Sequence, residues 1–237
     1  MRKDSSYYNQ SVKVLQSAML FNGLDNKTVD NILENLTHVA LPKKSIIHCT
    51  ATYKSIFLIL KGRVKISKIN PDNGREYTLS LLNKGDIFDV VSFLTHNKQE
   101  LNIEAIDELQ LLKTSLKIAR VWLEENPIFN RNFLSYLGKR LKDIQNENSN
   151  LALFNTKTRL AKLILDNTNL HIEGEKYSIK LINDLSHDAL AQMIGSVRKI
   201  VSLNIQELKK DKIITFSRGN LSILDMSKLK EICSSVT

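Results

Sequence analysis

The feature that most constrains this chain is a change of hydrophobic period about halfway along it. From His38 to Thr114 the sequence runs in short β-branched or apolar segments at 45–48, 55–60, 64–69, 77–82, 87–91, 101–106 and 109–114. Turn signals separate them: Leu60-Lys61-Gly62, Pro71-Asp72-Asn73-Gly74 and Asn83-Lys84-Gly85-Asp86. Asn-Gly tolerates positive φ, so Pro-Asp-Asn-Gly between two alternating runs marks a hairpin. Many short strands at this spacing fold as an antiparallel barrel or sandwich. After Pro127, which suits a first helical turn, the period changes. Leu134, Leu137, Leu141, Ile144, Asn148 and Leu151 step by alternating threes and fours, which is an a/d heptad seam. Its flanks, among them Lys139, Arg140, Lys142, Asp143 and Glu147, are polar. The seam predicts a long helix that either lies on its own domain or pairs with a second copy. The polar Asn148 within a narrow seam favours pairing, because one buried amide fixes register and oligomer state.

Helices are expected on both sides of this core. Leu15, Met19, Leu20, Leu24, Val29, Ile32, Leu33 and Leu36 recur at helical spacing, and Asn22-Gly23 divides that run in two. Beyond about residue 155 the rhythm predicts a helix over 157–167, a loop holding Gly174, a short strand over 177–181, then two helices and a hairpin.

The last two helices carry the clearest functional signal. Ser186 is a good N-cap and Asp188 suits the positive end of the helix that follows. That helix buries Leu190, Ala191 and Ile194, and the small Ala191 allows close helix approach. Gly195 supplies the positive φ that ends it. Ser196 is the expected cap of a second helix from Val197, which buries Val201, Ile205 and Leu208 and turns Arg198, Lys199, Ser202, Gln206, Lys209 and Lys210 outward. A helix, a glycine turn and a second helix with a basic, polar first turn is a helix-turn-helix pattern, whose second helix enters the DNA major groove. There Arg198 can donate two bonds to guanine, Lys199 can reach a base or a phosphate, and Ser202 can touch base or backbone. The run 213–224, with Arg218-Gly219-Asn220 at its tip, reads as a wing that brings Arg218 to a phosphate. A three-helix domain that binds protein is the competing reading; the glycine turn, basic first turn and wing together favour DNA.

Composition excludes several classes. The net charge of +9 suits a polyanionic partner. No apolar run approaches the roughly 20 residues of a membrane span. The first residues, MRKDSSYYNQSVKVLQ, lack an apolar core with a small-residue cleavage site, so a cytoplasmic protein is expected, with no membrane partner. Cys49 and Cys233 are too few for an iron–sulfur cluster or an all-cysteine zinc site. Cys49 is expected in or beside a strand. His38, His48, His96, His171 and His187 form no metal-binding spacing, and no GxSxG, P-loop or GxGxxG motif occurs. An enzyme is therefore not expected, and neither is a metal site.

In this order the segments resemble the cAMP receptor protein/FNR (Crp-Fnr) family of bacterial transcription regulators over nearly the whole chain. The marks are Phe21-Asn22-Gly23-Leu24, Ile56-Phe57-Leu58-Ile59-Leu60-Lys61-Gly62-Arg63-Val64, Asn73-Gly74-Arg75-Glu76, Gly85-Asp86-Ile87-Phe88, Asn126-Pro127, Asn150-Leu151-Ala152-Leu153, Lys157-Thr158-Arg159-Leu160-Ala161 and Gly195-Ser196-Val197-Arg198-Lys199. The resemblance implies an α+β chain in three parts. Residues 1–118 would form an effector-binding-like, jelly-roll type antiparallel β-roll with N-terminal helices. Residues 119–154 would form the dimerisation helix and hinge, and 155–237 the winged helix-turn-helix domain. It implies a homodimer, joined through Leu134, Leu137, Leu141, Ile144, Asn148 and Leu151, that binds double-stranded DNA at a palindromic promoter site and works with RNA polymerase. Matched residue by residue, it places Lys157, Thr158 and His187 at phosphate-contacting positions beside Ser196, Arg198, Lys199, Ser202 and Arg218.

The departures are equally informative. Where cyclic-nucleotide binders of the family carry a Gly-Glu pair for the ribose, this chain has Asp89-Val90. Their Arg-Ser pair for the cyclic phosphate falls around Glu100-Leu101, and the positions facing adenine hold Ile144 and Gln145. A carboxylate in place of arginine repels a phosphate and removes a bidentate contact. cAMP binding in the usual manner is not expected, and without an N-terminal cysteine group neither is cluster sensing. Within the reading helix, Lys199 and Leu203 stand where the family often has Glu and a second Arg, so the target site should differ. The effector stays open. Another small molecule is one reading, haem on His38, His48, His96 or Cys49 is a second, and a ligand-free scaffold with no required cofactor is a third.

Overall fold

The elements follow from local signals. The computed structural model describes residues 1, 4–95, 97, 99–169, 177–217 and 220–234. Helix α1 (Tyr8–Ser17) and a 3-10 turn (Met19–Phe21) precede α2 (Asn26–Glu34), whose N-cap Asp25 accepts a bond from the Thr28 N–H at 2.8 Å. Then come β1 (Thr37–Leu41), α3 (Cys49–Thr52), β2 (Ser55–Lys61), β3 (Val64–Ile69), β4 (Glu76–Leu82), β5 (Ile87–Phe88), α4 (Val90–Thr95), β6 (Asn102–Ala105) and β7 (Leu109–Ser115). Helices α5 (Leu116–Glu125), α6 (Pro127–Leu153) and α7 (Thr156–Asp166) follow, then β8 (Tyr177–Ser178), α8 (His187–Met193), α9 (Arg198–Lys210), β9 (Ile214–Ser217), β10 (Asn220–Ile223) and α10 (Met226–Ser234). The chain divides into two compact units, Met1–Lys68 with Ser80–Lys142, and Ile69–Leu79 with Asp143–Thr237.

In the first unit the expected antiparallel roll is present as sheets of order β1-β7-β2-β5 and β4-β3-β6, the tip of the β3–β4 hairpin being counted with the second unit. β7 pairs with both β1 and β2 (Val39 opposite Leu111, Leu58 opposite Leu112), so Leu109, Leu111 and Leu112 are sealed from solvent. The turn at Gly62 is available only to glycine. Its φ is +92°, and a Cβ there would meet the Glu108 carbonyl oxygen at 2.6 Å. Three expected strands are shorter. Residues 45–48 make one bridge, Ile46 to Glu104, because Lys44 has a positive φ and α3 begins at Cys49. Cys49 thus opens a short helix rather than a strand. The strand at 87–91 stops at Phe88, since Asp89 turns left-handed and starts α4, and the strand at 177–181 is reduced to Tyr177–Ser178. The loop with Gly174 lies outside the described residues.

Helix α6 begins as Asn126-Pro127 predicts, with the Asn126 side chain accepting a bond from the Phe129 N–H at 2.9 Å. Its first half buries Phe129, Phe133 and Tyr136 against α1, α2 and the roll. Tyr136 donates to the Ile87 carbonyl, and Arg140 pairs at 2.7 Å with Asp86 of the Gly85-Asp86 turn. The heptad steps that start at Leu134 do not mark this inward stripe. Leu137 belongs partly to it, packing on the core of its own chain, whereas Leu134, Leu141 and Ile144 are 62, 58 and 49 % exposed. Asn148 is exposed and Leu151 half-buried.

In the second unit α7 supplies Leu160, Ala161 and Ile164 to a core closed by Leu190, Val201, Ile205, Leu208, Ile214, Ile223 and Leu229. The sheet order is β8-β10-β9, with Asn220 opposite Ser217 at the outer end of the β9–β10 hairpin.

Candidate nucleic-acid interface

Helices α8 and α9 pack against each other, with Leu190, Ala191, Val201 and Ile205 buried. The Ser186 hydroxyl accepts a bond from the Ala189 N–H at 3.1 Å and caps α8 as expected. Gly195 has φ +61° and reverses the chain. The Ser196 N–H then donates to the Ala191 carbonyl at 2.9 Å, so the chain leaves the turn hydrogen-bonded. Ser196 is not the cap of the second helix. The N-cap is Val197, without a side-chain bond, and α9 begins at Arg198. This leaves free N–H groups at the start of α9 beside a basic first turn, a combination that attracts anions.

Arg198 and Lys199 are exposed. The Arg198 guanidinium lies 3.5 Å from the Asp188 carboxylate, and both side chains are mostly in solvent. An ion pair of that kind is worth at most about 1 kcal/mol and exchanges readily for phosphate or base contacts. Ser202 is half-buried, with its hydroxyl 2.8 Å from His187 Nδ1. The His187 ring also lies 5.2 Å from that of Phe216 in β9, so it joins α8, α9 and the wing. Burial, then Arg198, lower the His187 pKa, with Asp188 opposing them and Lys209 adding a smaller lowering. The imidazole is therefore neutral near pH 7. Lys209 donates to the Phe216 carbonyl at 3.3 Å and ties the last turn of α9 to the wing. Asn204, missed in the sequence as a polar residue on an outward-reading helix, is in fact buried.

Lys157, near the start of α7, pairs with Glu207 at 2.9 Å. Thr158 is only 3 % exposed, its N–H taken by the Asn155 cap at 2.9 Å. Its side chain faces the core, a correction to the phosphate role that the family match implied. The family pattern marks the helix start but not which way each residue of the first turn faces. Arg218 lies outside the described residues. Arg75, marked in the sequence only as part of the Asn73-Gly74-Arg75-Glu76 run and with no role attached, sits at the β3–β4 hairpin, and its guanidinium donates to the Gly195 carbonyl at 2.8 Å.

His38 in β1 stacks on Tyr7 at 3.7 Å and its pKa is lowered by burial. His48 is exposed before α3, and His96 and the Cys49 side chain are outside the description. Among the described residues no three of His, Cys, Asp and Glu are grouped to hold a metal, and no helix is long and apolar enough to cross a membrane. Asp89, at the first position of the family's ribose pair, is buried with φ +59°, and its Oδ1 accepts the Ser92 N–H at 3.2 Å.

A buried two-helix unit with a left-handed glycine turn, a basic reading helix and a wing defines a winged helix-turn-helix DNA-binding protein. The model of the Crp-like helix-turn-helix domain matches residues 158–232, and that of the cyclic nucleotide-binding domain matches 38–126. The CRP-like cAMP-activated global transcriptional regulator of Mycobacterium tuberculosis is 22 % identical over 92 % of this chain and 97 % of its own. The global nitrogen regulator of Nostoc sp. is 26 % identical over 84 % of this chain and 93 % of its own. Among solved structures, a CooA mutant from Carboxydothermus hydrogenoformans superimposes with a TM-score of 0.74 at 24 % identity, covering 99 % of this chain and 98 % of that one. The chain belongs to the Crp-Fnr family and is a DNA-binding transcription regulator.

Proposed function

We propose that two copies of the chain join along the outward stripe of α6, and that their α9 helices read the two halves of a palindromic promoter site. Such half-sites lie about 34 Å apart, one turn of DNA or a multiple. The observation that carries the reading role is the exposed Arg198 at the first turn of α9, held only by a weak surface ion pair. In this reading Arg198 and Lys199 contact base edges, while Ser196, Lys157, His187 and the wing-tip Arg218 surround them for phosphate, with Ser202 at the groove edge. The pairing role rests on Leu134, Leu141 and Ile144, three large apolar side chains left in solvent along one line of α6. We infer RNA polymerase as a further protein partner at the promoter.

The relatives do not choose the effector. One is named as cAMP-activated, and a structural neighbour from Xanthomonas campestris as c-di-GMP responsive. Against cAMP in its usual place stand Asp89, whose carboxylate is engaged in capping α4, and Val90, which carries no carboxylate for a ribose. The roll then serves a different effector or works as a scaffold.

The test is Arg198→Ala. Genome-wide capture of bound DNA first returns the site. Anisotropy titration on that site is expected to show a loss of about 1–3 kcal/mol, with relaxed preference at one guanine. Full affinity and unchanged preference in the variant would remove Arg198 from the reading set.

A further inference from the structure

Helix α9 has an outward line that its basic residues do not fill. At about 100° per residue, the buried side chains Val201, Asn204, Ile205 and Leu208 share one side. The opposite line is Lys199, Leu203, Gln206 and Lys210, all exposed. Arg198, Ser202 and Lys209 lie toward α8 and the wing, where each has a neighbour: Asp188, His187 and the Phe216 carbonyl. The centre of the outermost face is therefore Leu203, a branched apolar side chain 47 % exposed, one turn after Lys199 and one before Gln206.

A single exposed leucine on a protein surface ordinarily needs no explanation. The position makes this one different. The outward face of the second helix is the one that enters the major groove. The apolar group that base edges present there is the C5 methyl of thymine. Leucine can neither donate nor accept a hydrogen bond, so a G·C pair beneath it would lose water from its polar groups without compensation.

We propose that Leu203 determines specificity by packing on the C5 methyl of one thymine in each half-site. The proposal rests on the reading of α9 as the base-contacting helix. It commits this part of the site to a T·A pair, beside the guanine read by Arg198.

The test is the captured site with each thymine replaced singly by deoxyuridine, which removes only the methyl group. Wild type and Leu203→Ala are titrated by anisotropy, with thermal unfolding as a check that the exposed substitution leaves the fold intact. At one thymine per half-site, wild type is expected to lose about fourfold in affinity, the worth of one buried apolar carbon, and Leu203→Ala to lose nothing. Leu203→Arg is expected to move the preference at that pair from thymine to guanine. Equal deoxyuridine profiles in wild type and Leu203→Ala overturn the proposal. If Arg198-dependent guanine preference persists beside such equal profiles, only the Leu203 role fails. If wild type selects no sequence at all, the reading of α9 fails and the proposal falls with it.

Discussion

Replacing Gly195 by alanine tests the turn on which α8 and α9 depend. Gly195 sits at φ +61°, and a Cβ there would lie 2.9 Å from Leu151 Cδ2, 3.6 Å from Arg159 Nη1 and 3.7 Å from Tyr77 Cε2. The left-handed conformation costs an L-residue about 1–2 kcal/mol. The contact at 2.9 Å is with the end of a flexible side chain, so Leu151 turns aside, and leaving its rotamer costs roughly 0.5–1.5 kcal/mol. The gain from a stiffer unfolded chain, about 0.4–1 kcal/mol, offsets part of this. The net loss is about 1.5 kcal/mol, a fall of roughly 7 °C in the unfolding midpoint of a ~100-residue domain. The assay is thermal unfolding by circular dichroism of Gly195→Ala, Leu151→Ala and the double variant. The steric part should appear as coupling: Leu151→Ala is expected to cost about 0.5–1 kcal/mol less in the Gly195→Ala background. Wild-type stability in Gly195→Ala would refute the account of the turn, and strict additivity would refute the Leu151 contact.

Two further outcomes are expected. Leu141→Glu combined with Ile144→Glu removes two apolar side chains worth about 1.5–3 kcal/mol each when buried; sedimentation should find monomers at micromolar concentration, and a surviving dimer would place the pairing surface elsewhere. Acid should destabilise the fold through His187 and His38, whose pKa values are lowered from 6.5. A depressed pKa means that the folded state favours the neutral ring, so the full stability is present above about pH 6.5 and is lost as pH falls below it. His187→Gln, whose amide can still bond Ser202, is expected to show a smaller drop in unfolding midpoint between about pH 7.5 and 5.5; an unchanged drop would exclude His187 as a source.

The sequence alone determined what depends on local signals. Turn glycines at 62, 74 and 195, the Ser186 cap and the Asn126-Pro127 step, and the change from period two to heptad spacing are properties of a few neighbouring residues. The roll, the long helix and the helix-turn-helix were legible from them. Tertiary packing decided which of two adjoining stripes on α6 is spent on its own core, because Phe129, Phe133 and Tyr136 reach Phe21, Phe93 and Ile87, which lie 108, 40 and 49 positions earlier. It also decided the fate of each polar side chain near the DNA-reading helix. Thr158 and Asn204 went inward, Ser202 was taken by His187, and Leu203 was left facing out. Periodicity assigns a face to a residue, but only the packing of α8 and the wing against α9 fixes which outward residues remain free for a partner.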